Sequence, residues 1–287
     1  MRETSIEQDY SGNARRAAGA GVSRARTKIG YDGNMAEYPI LEFDPSRPAV
    51  IEPSQAISPI DAPEHCVLCF FSEALARLGD AGRLRQIAQR KWEDGLWPLY
   101  EMSVDGRRLA VAPARVGSAT AAGMLEEAIA LGCRKFIVCG GAGVLDRGIA
   151  VGHLLVPVAA VRDEGTSYHY LPPGREVNAT PAAVAAIKAA LQARGVHYQL
   201  TKTWTTDAPY RETRNLIERR RAEGCLTVEM EAAAFFAVAE FRGVTLGQIL
   251  YAGDDVSGTA WDAREWDSRH SIREELFWLA ADACLRL

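Results

Sequence analysis

The stretch Thr227-Val228-Glu229-Met230-Glu231-Ala232-Ala233-Ala234-Phe235-Phe236-Ala237-Val238-Ala239 joins a short apolar run, residues 225–228, to a run of strong helix formers. That change places Glu229 and Glu231 at the C-terminal end of a strand, on the first turn of a helix. Ligands of α/β proteins bind at this end of the sheet. A helix N-terminus also attracts carboxylates through its dipole and its free N–H groups. The two acids therefore read either as a helix cap or as part of a site, and the rest of the chain weighs between them.

The 287 residues suffice for one large α/β domain or two small ones, and 48% hydrophobic against 24% charged residues supports a sizeable core. A net charge of -4 gives no reason to expect nucleic acid or a membrane surface as partner. No apolar run approaches the roughly 18 residues needed to span a bilayer. The six cysteines lie mostly inside apolar segments, as reduced, buried thiols do. Cys66-Val67-Leu68-Cys69 resembles half a zinc site. However, it sits in a strand-like run where residues three apart point to opposite faces, and no second pair completes a tetrahedral set. No metal is expected, and the chain is placed in the cytoplasm.

Residues 1–40 are rich in Ala, Gly and Arg with few apolar anchors, and read as a poorly ordered tail. Glu3, Glu7 and Asp9 argue against a transit peptide. Residues 41–63 carry prolines at 45, 48, 53, 59 and 63, which predicts an extended arm. The globular pattern fills residues 64–287. A buried strand over 66–71 precedes a helix predicted over 72–88. Strands over 96–104 and 107–112 are joined by the hairpin signal Asp105-Gly106. A helix reaches Leu131, stopped by Gly132. Strand 135–139 then empties into the turn Gly140-Gly141-Ala142-Gly143, which is either a plain turn or a place where a ligand approaches backbone N–H groups. Its spacing is not the dinucleotide fingerprint.

Strand 152–161 leads to a polar segment over 162–170, which suits a subunit contact or a substrate loop. A helix opened by Pro181 and a strand over 196–204 follow. After the opening stretch come strand 244–251, the turn Ala252-Gly253-Asp254-Asp255 and a helix over about 267–287, linked by the Trp261–Trp266 region as a lid or as packed aromatics. Alternating strands and helices with one hairpin predict a single three-layer α/β/α sandwich with a mixed central sheet. The candidates, Gly140 to Gly143, Asp207, Glu229 to Glu231 and Asp254 to Asp255, all fall where strands give way to helices or loops.

The order of these motifs resembles the nucleoside phosphorylase superfamily, which contains uridine phosphorylases, hexameric purine nucleoside phosphorylases and methylthioadenosine nucleosidases. The match covers roughly residues 65–287. It rests on Val228-Glu229-Met230-Glu231-Ala232, the segment 136–143 and Val151-Gly152-His153-Leu154-Leu155-Val156-Pro157. The resemblance implies a phosphorylase/hydrolase-like fold that cleaves an N-glycosidic bond through an oxocarbenium-like sugar. Glu231 would accept hydrogen bonds from the ribose hydroxyls, with Met230 against the sugar and Glu229 beside it. Asp255, or Asp254 one residue away, would protonate a leaving purine. In the base-side loop, Asp207, Arg211 and Arg214 are the candidates.

The phosphate site departs from the family's pattern. Cys69-Phe70-Phe71-Ser72-Glu73 stands where the phosphorylases have a Gly-Asp-Pro turn with an arginine. Val138 and Gly141 stand for an arginine and a threonine, and Gly95 for a neighbour's arginine. Either Arg115 supplies the missing charge, with Ser118 and the N–H groups of Gly140 and Gly141, or water attacks with Glu73 as its base. The leading expectation is phosphorolysis of a purine-type nucleoside to free base and ribose 1-phosphate, with inorganic phosphate as co-substrate. Hydrolysis, or a nucleoside-binding regulator without turnover, are the alternatives. The resemblance also implies a homo-oligomer, and no organic cofactor.

Overall fold

The computed structural model describes residues 38–287. The tail expected over 1–40 thus lies, up to residue 37, outside the described residues. The proline-rich arm contains one short helix, α1 (Pro53–Ala56), and lies along its own chain. Arg47 donates to the Phe241 carbonyl at 2.7 Å, Glu52 pairs with Arg242 at 3.1 Å, and Ile57 is buried.

From β1 (His65–Cys69) onward the elements are α2 (Ser72–Asp80), β2 (Arg85–Trp92), β3 (Gly95–Val104), β4 (Arg107–Pro113), α3 (Ser118–Leu131), β5 (Lys135–Val144), β6 (Leu154–Asp163), β7 (Glu176–Asn178), α4 (Pro181–Ala193), β8 (Tyr198–Thr206), α5 (Arg214–Ala222), β9 (Cys225–Glu229), α6 (Ala232–Arg242), β10 (Thr245–Asp255) and α7 (His270–Leu285). Alternation along the central strands sorts the core into two faces. Cys66, Leu68, Phe136 and Val138 pack with α3 and α6. Val67, Cys69, Ile137 and Cys139 pack with α2, α4 and α7. The outcome is the expected three-layer sandwich, with Cys66 and Cys69 on opposite sides and all six cysteines free and buried.

The sheet is mixed. β1 runs parallel to β4 and β5, and β3 and β2 continue antiparallel beyond β4. On the other side β5 pairs with both β10 and β9, and the path β9–β8–β6–β10 returns to β5. Strands 5, 9, 8, 6 and 10 therefore form a closed ring, and the ends of β5, β9 and β10 converge at one place.

Three expectations need correction. The helix expected over 72–88 ends at Asp80, and its second half is β2. Gly82, at φ +66°, adopts the left-handed conformation that ends a helix, and the Arg83 N–H closes onto the Leu78 carbonyl at 2.9 Å. Gly140-Gly141-Ala142-Gly143 is not a turn but part of the second half of β5. Its glycines' lack of side chains serves close packing: a Cβ on Gly141 would lie 3.0 Å from the Tyr251 ring. Likewise β10 runs through Ala252-Gly253-Asp254-Asp255, with its register against β5 broken between Ala252 and Asp255.

Candidate active site

β9 ends at Glu229, and the chain turns at Met230 and Glu231 into α6. The first N–H groups of a helix lack partners inside it. Here Glu229 Oε2 accepts the N–H groups of Glu231 at 2.8 Å and Ala232 at 2.6 Å. The Thr205 hydroxyl accepts the Ala233 N–H at 2.9 Å and donates to Glu229 Oε1 at 2.6 Å, with Thr203 weaker at 3.4 Å. Glu229 is thus the helix cap, its oxygens committed to protein donors. Glu231 is held differently: its Oε1 accepts the Gly117 N–H at 2.6 Å. The Ser118 hydroxyl donates to the Met230 carbonyl at 2.7 Å, so the start of α3 fixes the Glu-Met-Glu turn. In this arrangement the Ser118 hydroxyl proton points to the Met230 carbonyl.

Burial and the charge of Glu229 push the Glu231 carboxyl up to about 8. Burial also raises Glu229, against the opposing pull of Thr205 and of the Glu231 and Ala232 N–H groups. The better-solvated member by protein donors is Glu229, so the pair's charge rests there and the proton on Glu231.

Glu231 and Met230 line a cavity of about 390 Å³, together with Phe70, Gly141, Asp254 and Arg273. Asp254 reaches it because the irregularity in β10 re-aims one side chain, as β-bulges beside active sites do. The Trp261 indole N–H donates to Asp254 Oδ2 at 2.7 Å. Asp255 faces away. It is buried in an ion pair with Arg264 at 2.6 Å and accepts the Ser257 N–H at 2.7 Å. Burial works to raise its carboxyl, but Ser257 and Arg264 outweigh that and hold it below the ordinary value. The acid facing the cavity is therefore Asp254, and Asp255 is structural. A second cavity of about 810 Å³ adjoins the first and shares Pro209, Glu212, Asp254 and Trp266 with it.

Other expected residues divide similarly. Arg115 is turned to the β2–β3 hairpin, where it pairs with Asp94 and donates to the Leu96 carbonyl at 2.9 Å. It lines neither cavity. Gly140 and Gly141 belong to the β5 ladder rather than to an anion-binding turn. Glu73 lies 3.0 Å from Arg273 Nε and does not line the cavity. Asp207 accepts the Gly165 N–H at 2.8 Å and ties two loops together, while Arg211 is exposed and outside both cavities. Arg214 lines the second cavity and donates to the Ser257 carbonyl at 2.9 Å.

Two groups escaped the sequence reading. Arg273 of α7 reaches the first cavity, with its guanidinium 4.9 Å over the Phe71 ring. Nothing local marks it, since a helix far along the chain delivers it. Glu212 sits where the cavities meet, between Arg211 and Thr213, and the one signal for it was a carboxylate inside the base-side loop. A larger cavity of about 920 Å³ lies beneath the arm. Its three acids are all paired, Glu52 and Glu126 with Arg242 and Glu127 with Arg90, which leaves them no free role.

An α/β protein with a carboxylate-lined cavity where parallel strands end defines a class of small-molecule enzymes. The sequence model of the family described as the phosphorylase superfamily matches residues 64–277. The chain belongs to the phosphorylase superfamily and is an enzyme. It is 29% identical over 179 residues to a guanosine phosphorylase of Halorubrum lacusprofundi, covering 60% of this chain and 73% of that one. It is 30% identical over 155 residues to a uridine phosphorylase of Thermococcus kodakarensis, covering 50% and 56%. Its fold is similar to a purine nucleoside phosphorylase from Toxoplasma gondii, with a TM-score of 0.68 at 20% identity over 79% of this chain and 92% of that one. It is also similar to an AMP nucleosidase from Bacteroides thetaiotaomicron, with a TM-score of 0.63 at 24% identity over 78% and 87%. Among the described residues no helix is long and apolar enough to cross a membrane.

Proposed function

We propose that the enzyme cleaves the N-glycosidic bond of a purine-type nucleoside with inorganic phosphate, giving free base and ribose 1-phosphate. The observation that carries this reading is that Glu231, Met230, Asp254 and Arg273 face one cavity. As the ribose hydroxyls bring their donors to Glu231 its proton passes to solvent, and the attraction of the resulting carboxylate for the sugar grows as positive charge builds on the ring. A phosphate oxygen attacks C1′ while the C1′–N bond breaks, and a proton passes from the Asp254 side to the departing base. Arg273 takes the role expected of Arg115, as the guanidinium available to the phosphate. A guanosine phosphorylase and a uridine phosphorylase both stand among the relatives at like identity, and it is the acid at Asp254 that favours a purine. Glu73, committed to Arg273, is a poor candidate for activating water. No metal or organic cofactor enters this scheme.

The test is a panel of purine and pyrimidine nucleosides assayed with and without phosphate. Base release that saturates with phosphate and yields ribose 1-phosphate is expected. Phosphate-independent release would overturn the nucleophile, and preference for uridine would overturn the base. Arg273→Met is expected to raise the KM for phosphate more than that for nucleoside.

A further inference from the structure

A general acid must carry a proton at the working pH, whereas a carboxyl in ordinary surroundings loses its own well below neutrality. An acid at Asp254 that protonates the leaving base therefore needs a source for its proton. Two carboxyls confined to one desolvated place supply an answer, because they cannot both ionise and one proton stays between them. Glu212 meets this requirement by position. It is half-buried on the loop before α5, and it lines both cavities at the junction where Asp254 also lines both.

We propose that Glu212 and Asp254 form a proton-sharing carboxyl pair at the junction of the sugar and base cavities, which keeps the leaving-group acid charged with a proton at neutral pH. This rests on the nucleoside-cleaving reading of the site. Glu212 is a positioning residue that acts through Asp254. Burial and the Asp254 charge push the Glu212 carboxyl up to about 7. The other charged and titratable groups around the two cavities are Tyr210 and Arg214 on the base side, and Glu229, Glu231, Tyr251 and Arg273 on the sugar side. Arg214 is held on the Ser257 carbonyl, and Arg273 lies over Phe71 beside Glu73, so each cation already has a partner other than the pair.

The indole N–H of Trp261 donates to Asp254 Oδ2 at 2.7 Å, which fixes that carboxyl at the junction. As the C1′–N bond breaks, its electron pair stays on the base. The shared proton moves through Asp254 to a ring nitrogen of the base, leaving two carboxylates. Solvent returns one proton once the base has left. A base with a basic imidazole nitrogen gains most from this arrangement.

Glu212→Gln is the test, read as a pH profile on two substrates. With a purine nucleoside, the variant's alkaline limb is expected to move to lower pH by about one pH unit or more, with roughly a 10- to 100-fold loss of kcat near neutrality. With p-nitrophenyl riboside, whose leaving group needs no proton, most of the rate is expected to remain. Equal losses on both substrates, or an unmoved purine profile, would overturn the proposal. Carbon-13 NMR of glutamate-labelled protein reads the pair without any substrate. The Glu212 carboxyl is expected to titrate near 7 and to fall toward the ordinary carboxyl range in Asp254→Asn. An ordinary titration in the wild type overturns the pair. A wild type that cleaves neither substrate overturns the proposed function and the destination of the proton, and the NMR titration then still decides whether the proton is shared.

Discussion

Replacing Glu231 with glutamine separates what this side chain does for the fold from what it does for the sugar. The amide keeps the oxygen that accepts the Gly117 N–H and removes only the ability to ionise. In the folded chain burial and the Glu229 charge raise the Glu231 carboxyl from 4.5 to about 8. Such a group favours the folded state fully below the unfolded value of 4.5. Its contribution is lost progressively as pH rises to about 8, and no further change follows above that. At about 1.4 kcal/mol per pH unit, the wild type should lose roughly 3 to 4 kcal/mol through this group between pH 5 and pH 8. Glu231→Gln lacks that loss, so its stability relative to wild type should rise by that amount over the same interval. For a domain of this size the difference is roughly 10 °C in Tm. Urea unfolding of both proteins across pH 5 to about 9 in one buffer series measures it. The same variant should lose roughly 100-fold or more in kcat/KM for nucleoside, because an amide cannot give up a proton when the sugar binds and so never becomes the carboxylate that meets the developing positive charge. Parallel stability curves would refute the buried proton, and retained activity would refute the placement of the sugar.

Adjacent substitutions at 254 and 255 should behave oppositely. Asp254→Asn is expected to keep its melting temperature and lose about 100-fold or more in purine release, whereas Asp255→Asn leaves Arg264 without its buried partner and should cost about 3 kcal/mol in a denaturant melt. Thr205→Val strips Glu229 and the Ala233 N–H of one hydroxyl, and is expected to cost about 2 kcal/mol with faster amide exchange in the first turn of α6. Gly247→Ala would place a methyl 2.8 Å from Ala183 Cβ and 3.0 Å from Ile187 Cδ1, so α4 must shift off β10 at a cost of about 1 to 3 kcal/mol by thermal unfolding.

Much of the fold was legible because its signals are local. The Asp105-Gly106 hairpin appears as read, with both residues at positive φ, and the switch from β9 to α6 falls where the composition changes. The failures came where a local signal had two physical outcomes. Leu84 and Ile87 extend the helical spacing of α2, yet Gly82 had already ended that helix, and both residues belong to the strand side of the stop. Gly140, Gly141 and Gly143 announced a backbone nearly without side chains, which serves a turn or a tightly packed strand equally well. Only the Tyr251 ring, more than a hundred residues on, decides between them. The choice between Asp254 and Asp255 hinged on a break in register that no sequence pattern marks. Arg273 and Glu212 became visible only once α7 and the base-side loop were brought against the strand ends.

The two acid motifs follow one logic. Along an extended backbone successive side chains point to opposite faces, which separates Asp254 from Asp255, whereas Glu229 and Glu231, two residues apart, are given different partners by the turn at Met230 between β9 and α6. In Glu229-Met230-Glu231 the first acid satisfies the N–H groups of α6, and that bonding fixes the turn from which Glu231 enters the cavity. In Asp254-Asp255 the second acid is locked to Arg264 and Ser257, and the irregular strand this anchors delivers Asp254 to the same cavity. Capping and catalysis, which looked like rival readings of the opening stretch, are therefore assigned to different members of each pair. A carboxylate held by the fold keeps its neighbour's backbone in place, and the neighbour, poorly supplied with protein donors, is left to bond the substrate. The expected signature is a split in phenotype within each pair, with stability falling at Glu229 and Asp255, and turnover at Glu231 and Asp254.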